Sequence, residues 1–239
     1  MNVLDTVDNA LPSELLRARN GYSYPAVGLS GTWLEFDEEH FRSHFEMENK
    51  FGNLINSDSN EEVVFGYLSV VFWGHANAGY AKARTKKARE KIIGRSRKIV
   101  KFAAAGQTGL DFSAFTVREA IKMVSDKQFG NAASFLADRI PGAGFAFATK
   151  VCTFIDPSSC GVADSVIARK YPSLNFAVGE NGIIRNTQPN AKLYDEFCAS
   201  LCSKARKMNA LGSDFHWADT GAKNFWRAVD IERALYGSI

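Results

Sequence analysis

Three groups of residues in this 239-residue chain have types and spacings that could do chemistry. The first is Ile140-Pro141-Gly142-Ala143-Gly144. Pro141 ends one helical pattern. Gly142 and Gly144 permit positive φ and leave no Cβ to block close approach where the next helix starts. N–H groups at such a start, with the positive end of the helix dipole behind them, suit a phosphate oxygen. The second is the loop Asp156-Pro157-Ser158-Ser159-Cys160-Gly161, followed by Asp164 at the head of SVIARKY. An aspartate there is a good N-cap. The third is the run from Lys82 to Lys101, which holds Lys82, Arg84, Lys86, Lys87 and six further basic residues against one acid, Glu90. That run carries +9 and leaves −6 on the rest of a chain whose net charge is +3. A surface so polarised attracts a polyanion, of which nucleic acid is the commonest. The bland alternative is a solvated helix face.

Other chemistries find less support. Cys152, Cys160, Cys198 and Cys202 form no CxxC pair and match no zinc or iron–sulfur spacing. They read as buried free thiols. His40 and His44, with Glu48 one turn further, could bind a metal, but HExxH is absent. Asp230 and Glu232 are expected to pair with Arg227 or Arg233 rather than react.

The elements that must position these residues are mostly helical. Hydrophobic residues are 46% and charged residues 23%, ordinary for a globular protein. No apolar run reaches 18 residues and no basic start precedes an apolar run, so neither a membrane span nor a signal peptide is expected. The basic run lacks a strong apolar face, which argues against a membrane surface. Residues 1–30 look like a loosely ordered arm with Pro12 and Pro25; Thr32–Phe36 suggests one short strand. Asp37 suggests the N-cap of a helix through about Phe51. Glu61–Trp73 reads as an apolar helix breaking at Gly74-His75-Ala76-Asn77-Ala78-Gly79. The basic helix follows over about Ala81–Ala105, with Ile92, Ile93, Ile99 and Val100 buried and Gly106–Gly109 ending it. Helices around Val117–Ser125 and Asn131–Arg139 come next, and residues 131–172 read as helix, turn, helix, loop, helix.

A proline–glycine turn between two helices, followed by a Gly/Pro-containing loop and an aspartate, resembles the helix-hairpin-helix (HhH-GPD) DNA glycosylase superfamily. Phe225–Tyr236 (FWRAVDIERALY) and the Phe72-Trp73-Gly74 corner resemble bacterial proteins with an 8-oxoguanine glycosylase fold. The likeness is carried by residues 117–172, is weaker over 62–105 and 190–239, and does not cover 1–60. It implies a mostly α fold of two intertwined helical subdomains: an N-terminal arm and first helix over 1–60, and a glycosylase-like domain over 61–239.

The resemblance also implies roles. Breaking a base–sugar bond builds positive charge on the deoxyribose, as in glycoside hydrolysis, and Asp164 would face it. The position where many family members carry a nucleophilic lysine holds Ala146, with Lys150 one turn along the same face. Lys150 would be the nucleophile, or else a salt-bridge partner or phosphate contact. Gly142, Gly144, Lys82, Arg84, Lys86 and Lys87 would hold the DNA. Trp73, His75, Asn77, His216 and Trp217 would line the pocket for the flipped base; for each aromatic, core packing is the competing reading. The expected activity is excision of a damaged or modified base from double-stranded DNA, leaving an abasic site, in repair or in antiphage defence. AP-lyase activity depends on Lys150. No cofactor is expected, although a monovalent or divalent cation could sit at the hairpin. A cytoplasmic monomer is expected, at the nucleoid if the source is bacterial. The rivals are a non-catalytic DNA-binding module that kept the hairpin and a helical domain whose basic helix docks an acidic protein.

Overall fold

The computed structural model describes residues 7–76, 81–101, 103–104, 106–140, 143–213, 215–216 and 223–237, with backbone alone for 81–88, 103–104, 215–216 and 223. Helix makes up 66% of the chain, so the class is mostly α. In order come α1 (Pro12–Asn20), β1 (Val27–Gly31), β2 (Phe36–His40), α2 (His44–Ile55), α3 (Asn60–His75), α4 (Ala81–Lys101), β3 (Ala103–Ala104), β4 (Gln107–Thr108), α5 (Gly109–Ser125), α6 (Phe129–Arg139), α7 (Phe145–Ile155), α8 (Ser165–Lys170), a 3-10 turn (Pro172–Leu174), α9 (Gln188–Ala210), β5 (Phe215–His216), β6 (Lys223–Asn224) and α10 (Ala228–Gly237).

Helix α3 is the axis of the molecule. Every residue from Val63 to Trp73 is buried, and a helix apolar on all sides belongs in the interior. It packs against α2, α4, α5, α7 and β1. Ser59 caps it, accepting from the Glu62 N–H at 3.4 Å. Around it the buried apolar side chains form one cluster, which takes in Val7, Leu15 and Leu29 as well as Leu235.

The N-terminal sixty residues differ from the sequence expectation. Pro12–Asn20 is a helix packed on α10, not part of a loose arm. Thr32–Glu35 is the turn of a β1–β2 hairpin rather than a strand, and the Glu35 carbonyl accepts from the Thr32 N–H at 2.7 Å. Gly31 has φ +105°, and a Cβ there would lie 2.4 Å from the Glu35 carbonyl oxygen, so this turn demands glycine. Asp37 does not cap a helix; it pairs with Ser30 across the hairpin. Ser43 caps α2 instead, accepting from the Glu46 N–H at 3.0 Å.

A buried charge network ties α1 and α10 to α2. Asp230 pairs with Arg19 at 3.1 Å and with Arg227 at 2.8 Å. Glu48 takes Arg227 at 2.8 Å and also Arg233, which is 1% exposed. Burial works against the Glu48 charge, but the two guanidiniums win and hold its carboxyl down to about 2. Glu48 is therefore committed to arginine, while His40 sits exposed against Glu38 at 2.8 Å. His40 lies at the end of β2 while His44 and Glu48 lie on α2, so the three do not share one helical face.

The basic helix is shorter than expected, ending at Lys101, and Gly109 opens α5. Ile92 and Ile99 are buried and Ile93 is half-buried, but Val100 is 57% exposed. Among the described residues no helix is long and apolar enough to cross a membrane.

Candidate active site

Helices α6 and α7 pack side by side, joined by residues 140–144. The Ala143 N–H donates to the Ile140 carbonyl at 3.0 Å. Pro141 and Gly142 lie outside the described residues. Gly144 occupies the N-cap of α7 with φ −88° and ψ 165°, extended backbone that any residue adopts. A Cβ there would meet nothing within 4 Å. Gly144 thus does not use the positive φ that glycine permits. What the glycine provides is an uncovered helix start with no side-chain cap.

That start opens into a cavity of about 390 Å³ lined by Gly74, His75, Gly144, Ala146, Phe147, Lys150, Asp164, Ser165 and Ile183. Lys150 and Asp164, singled out from sequence on different helices, meet here: Lys150 Nζ lies 3.0 Å from Asp164 Oδ2. Lys150 is only 6% exposed. The other oxygen, Asp164 Oδ1, accepts from the Val166 and Ile167 N–H groups at 2.9 and 3.2 Å. One carboxylate thus caps α8 and pairs with a buried ammonium. Burial pushes its pKa up, but the Lys150 charge and hydrogen bond, then the two backbone donors, outweigh burial and hold it below the usual carboxylate range.

The surroundings fix this pair. A Cβ on Gly74 would lie 2.8 Å from Lys150 Cδ and 2.9 Å from Phe147 Cε1, so glycine at the end of α3 makes the room Lys150 occupies. Tyr24 donates toward the Trp73 and Gly74 carbonyls at 3.2 and 3.3 Å, bracing that corner from the N-terminal segment. The loop before Asp164 is fastened to α7 by Thr149 Oγ1, which accepts from the Ala163 N–H at 3.2 Å. Tyr194 on α9 donates to the Gly161 carbonyl at 2.9 Å.

His75 packs on Phe147 with ring centroids 4.5 Å apart and the rings tilted by 53°, and its Nε2 is buried without a hydrogen-bond partner. Burial, then the nearby charges of Lys91, Arg95 and Lys150, press its pKa down to about 3. The imidazole is neutral at pH 7, with a ring nitrogen unclaimed by protein.

A second carboxyl lies behind the pair. Glu232 is 4% exposed and accepts from the Val162 backbone. A Cβ on Gly161 would come within 2.9 Å of Glu232 Cβ, so glycine is needed for the loop to lie this close to α10. Burial and then the Asp164 charge push the Glu232 pKa up to about 8, against Arg233 and Lys150. Asp230 pairs with Arg227 as expected; Arg233 pairs with Glu48. Glu232 instead sits under the Asp164 loop. No local pattern signals this, because the groups that meet it come from α7 and the 160–164 loop. Phe147 and Ile183 are likewise cavity residues that sequence reasoning passed over.

The remaining sequence candidates divide. Trp73 is core, not pocket: it is 4% exposed and packs on Tyr24 and Phe154 with centroids 5.0 and 5.1 Å apart. The backbone of Lys82, Arg84, Lys86 and Lys87 is helical within α4, but their side chains lie outside the described residues. His216 pairs through its backbone with Lys223, its side chain being outside the description. Asn77 and Trp217 lie outside the described residues altogether. Of the four thiols, Cys152, Cys160 and Cys198 are buried and all four are free.

Comparison with protein-family models, curated proteins and solved structures gives no match in any of the three.

Proposed function

We propose that the protein is a DNA N-glycosylase of the helix-hairpin-helix kind, with Lys150 as nucleophile and Asp164 as its carboxylate. The observation that carries this reading is the 3.0 Å Lys150–Asp164 pair, enclosed in a cavity at the open start of the second hairpin helix. The C1′–N bond of the bound nucleotide breaks with its electron pair passing to the base. The Lys150 ammonium supplies the proton the base takes up, and the freed amine adds its lone pair to C1′. Asp164, ionised by its partners, faces the positive charge that develops on the sugar. The C1′–O4′ bond then breaks, O4′ keeping its electron pair and taking one proton from the Lys150 nitrogen, whose lone pair closes the C1′=N bond of a protonated Schiff base. His75, whose ring packs on Phe147 in the cavity wall, would contact the flipped base. Arg95 lies behind that wall, its guanidinium 4.9 Å from the Phe147 ring centroid.

The substrate class is a damaged or modified base in duplex DNA: an oxidised purine such as 8-oxoguanine by default, or a hypermodified phage base. A second reading is favoured by the ion pair itself, which engages Lys150 Nζ with Asp164; Asp164 would then activate water and leave an abasic site without strand nicking. DNA carrying varied modified bases, with and without hot alkali, separates them. Breaks without alkali, trapped by borohydride and lost in Lys150→Ala, fit the nucleophile. Breaks only after alkali, lost in Asp164→Asn, fit water attack. No base release on any substrate despite tight DNA binding returns the protein to a non-catalytic binding module.

A further inference from the structure

The 160–164 segment that presents Asp164 is held from three sides. From α7, Thr149 Oγ1 accepts from the Ala163 N–H at 3.2 Å. From α9, Tyr194 donates to the Gly161 carbonyl at 2.9 Å. From α10, Glu232 accepts from the Val162 backbone, with Gly161 packed so closely that an added Cβ would lie 2.9 and 3.2 Å from Glu232 Cβ and Cγ. Thr149 does not titrate, and burial, then the neighbouring thiols, push the Tyr194 phenol well above its ordinary value. Of the three holders, only Glu232 can change its charge near neutrality. It is 4% exposed, and burial, then the Asp164 charge, push its carboxyl up to about 8.

The cations around α10 are engaged elsewhere. Arg233 pairs with Glu48 and Arg19 with Asp230. On α9, Lys204 donates to the Asp8 and Ala10 carbonyls; on α8, Arg169 and Lys170 donate to the Ser165 and Tyr236 carbonyls. Facing Glu232 are Asp164, Lys150, which pairs with Asp164, and the Tyr22 phenol. An ionised Glu232 would therefore put a second carboxylate charge behind Asp164, repel it and weaken its pairing with Lys150. Resting on the glycosylase reading above, we propose that Glu232 is a positioning residue for the reaction: its uncharged carboxyl holds the 160–164 segment on α10 and so keeps Asp164 against Lys150. The site then has an alkaline limit set by a residue that never touches the DNA.

The probe is a duplex with an aldehydic abasic site, so the excised base need not be known. Lys150 adds to the C1′ aldehyde, water leaves, and cyanoborohydride delivers hydride to the C=N bond, giving a stable protein–DNA adduct. Its rate of formation is measured from pH 6.5 to pH 9 for wild type, Glu232→Gln and Glu232→Ala, with circular dichroism checking that each stays folded. With half-ionisation at about 8, the ratio of the Glu232→Gln rate to the wild-type rate is expected to rise about tenfold over that range. Taking the ratio removes the pH dependence of the reagent. Glu232→Ala, which cannot hold Val162, is expected to be at least about threefold slower than Glu232→Gln at pH 6.5. A ratio flat within about twofold would overturn the proposal and leave the glycosylase reading standing. No adduct from the wild type, or one that persists in Lys150→Ala, would overturn both.

Discussion

Replacing Glu232 with glutamine should make the protein more stable at neutral pH and leave it unchanged in acid. The carboxyl is buried beneath the Asp164 loop, and its pKa rises from the ordinary 4.5 to about 8. Between those values the folded chain keeps a proton that the unfolded chain releases. Stability from this group is thus fully present below pH 4.5 and is lost as pH rises toward 8. The interval, at about 1.4 kcal/mol per pH unit, corresponds to roughly 5 kcal/mol, of which about 4 falls between pH 5 and pH 8. Glutamine copies the protonated form and cannot ionise. Urea unfolding of both proteins at pH 5, 6.5 and 8 gives the difference directly, and the opposite contribution of Glu48, whose carboxyl is held down to about 2, cancels in it. The variant should gain on wild type steadily across the range. A difference that stays flat within about 1 kcal/mol would refute the placement of a proton-carrying carboxyl behind the Lys150–Asp164 pair.

Glu48→Gln should behave in the opposite sense, costing about 3–5 kcal/mol at pH 7 because Arg233 is left buried without its counter-ion; thermal unfolding reads this. Gly74→Ala should leave the fold nearly intact, since the new methyl meets the flexible ends of Lys150 and Phe147, but should reduce base release at least about tenfold by displacing Lys150, a split that a turnover assay beside a melting curve detects. Gly144→Ala should change stability by no more than about 0.5 kcal/mol, since the backbone there is extended and the methyl would enter open space. His75, pressed to about 3, should show no imidazole titration between pH 5 and 8 by NMR, whereas an ordinary histidine titrates near 6.5.

Sequence carried some of this arrangement and not the rest, for identifiable reasons. Asp164 was legible because an N-cap depends on the four residues after it, and the turn before Phe145 because proline and glycine interrupt a helix locally. The axis helix was legible because a run such as VVFGYLSVVFW has nowhere to lie but the interior. The β1–β2 hairpin was not, because Asp37-Glu38-Glu39 also looks like an acidic first turn of a helix; the decisive fact, the Ser30–Asp37 pairing, is between strands. Trp73 was placed in the pocket because it shares the Trp73–Gly79 corner with His75, yet helical residues two apart point about 200° apart, to opposite sides. Glu232 and Ile183 depended on tertiary neighbours, and short-range spacing contains no trace of those.

The charge network that joins α1, α2 and α10 also sets an order of events during synthesis. Glu48 leaves the ribosome long before Arg227 and Arg233, and Arg19 long before Asp230. Until α10 emerges, neither early charge can be buried without a partner, so the N-terminal third has no stable resting place. Nascent chains interrupted before α10 should therefore be surrendered to proteases rather than persist as partly folded fragments that expose the cavity. Burial of Arg19 and Glu48 is thus coupled to the later appearance of Arg227, Asp230 and Arg233.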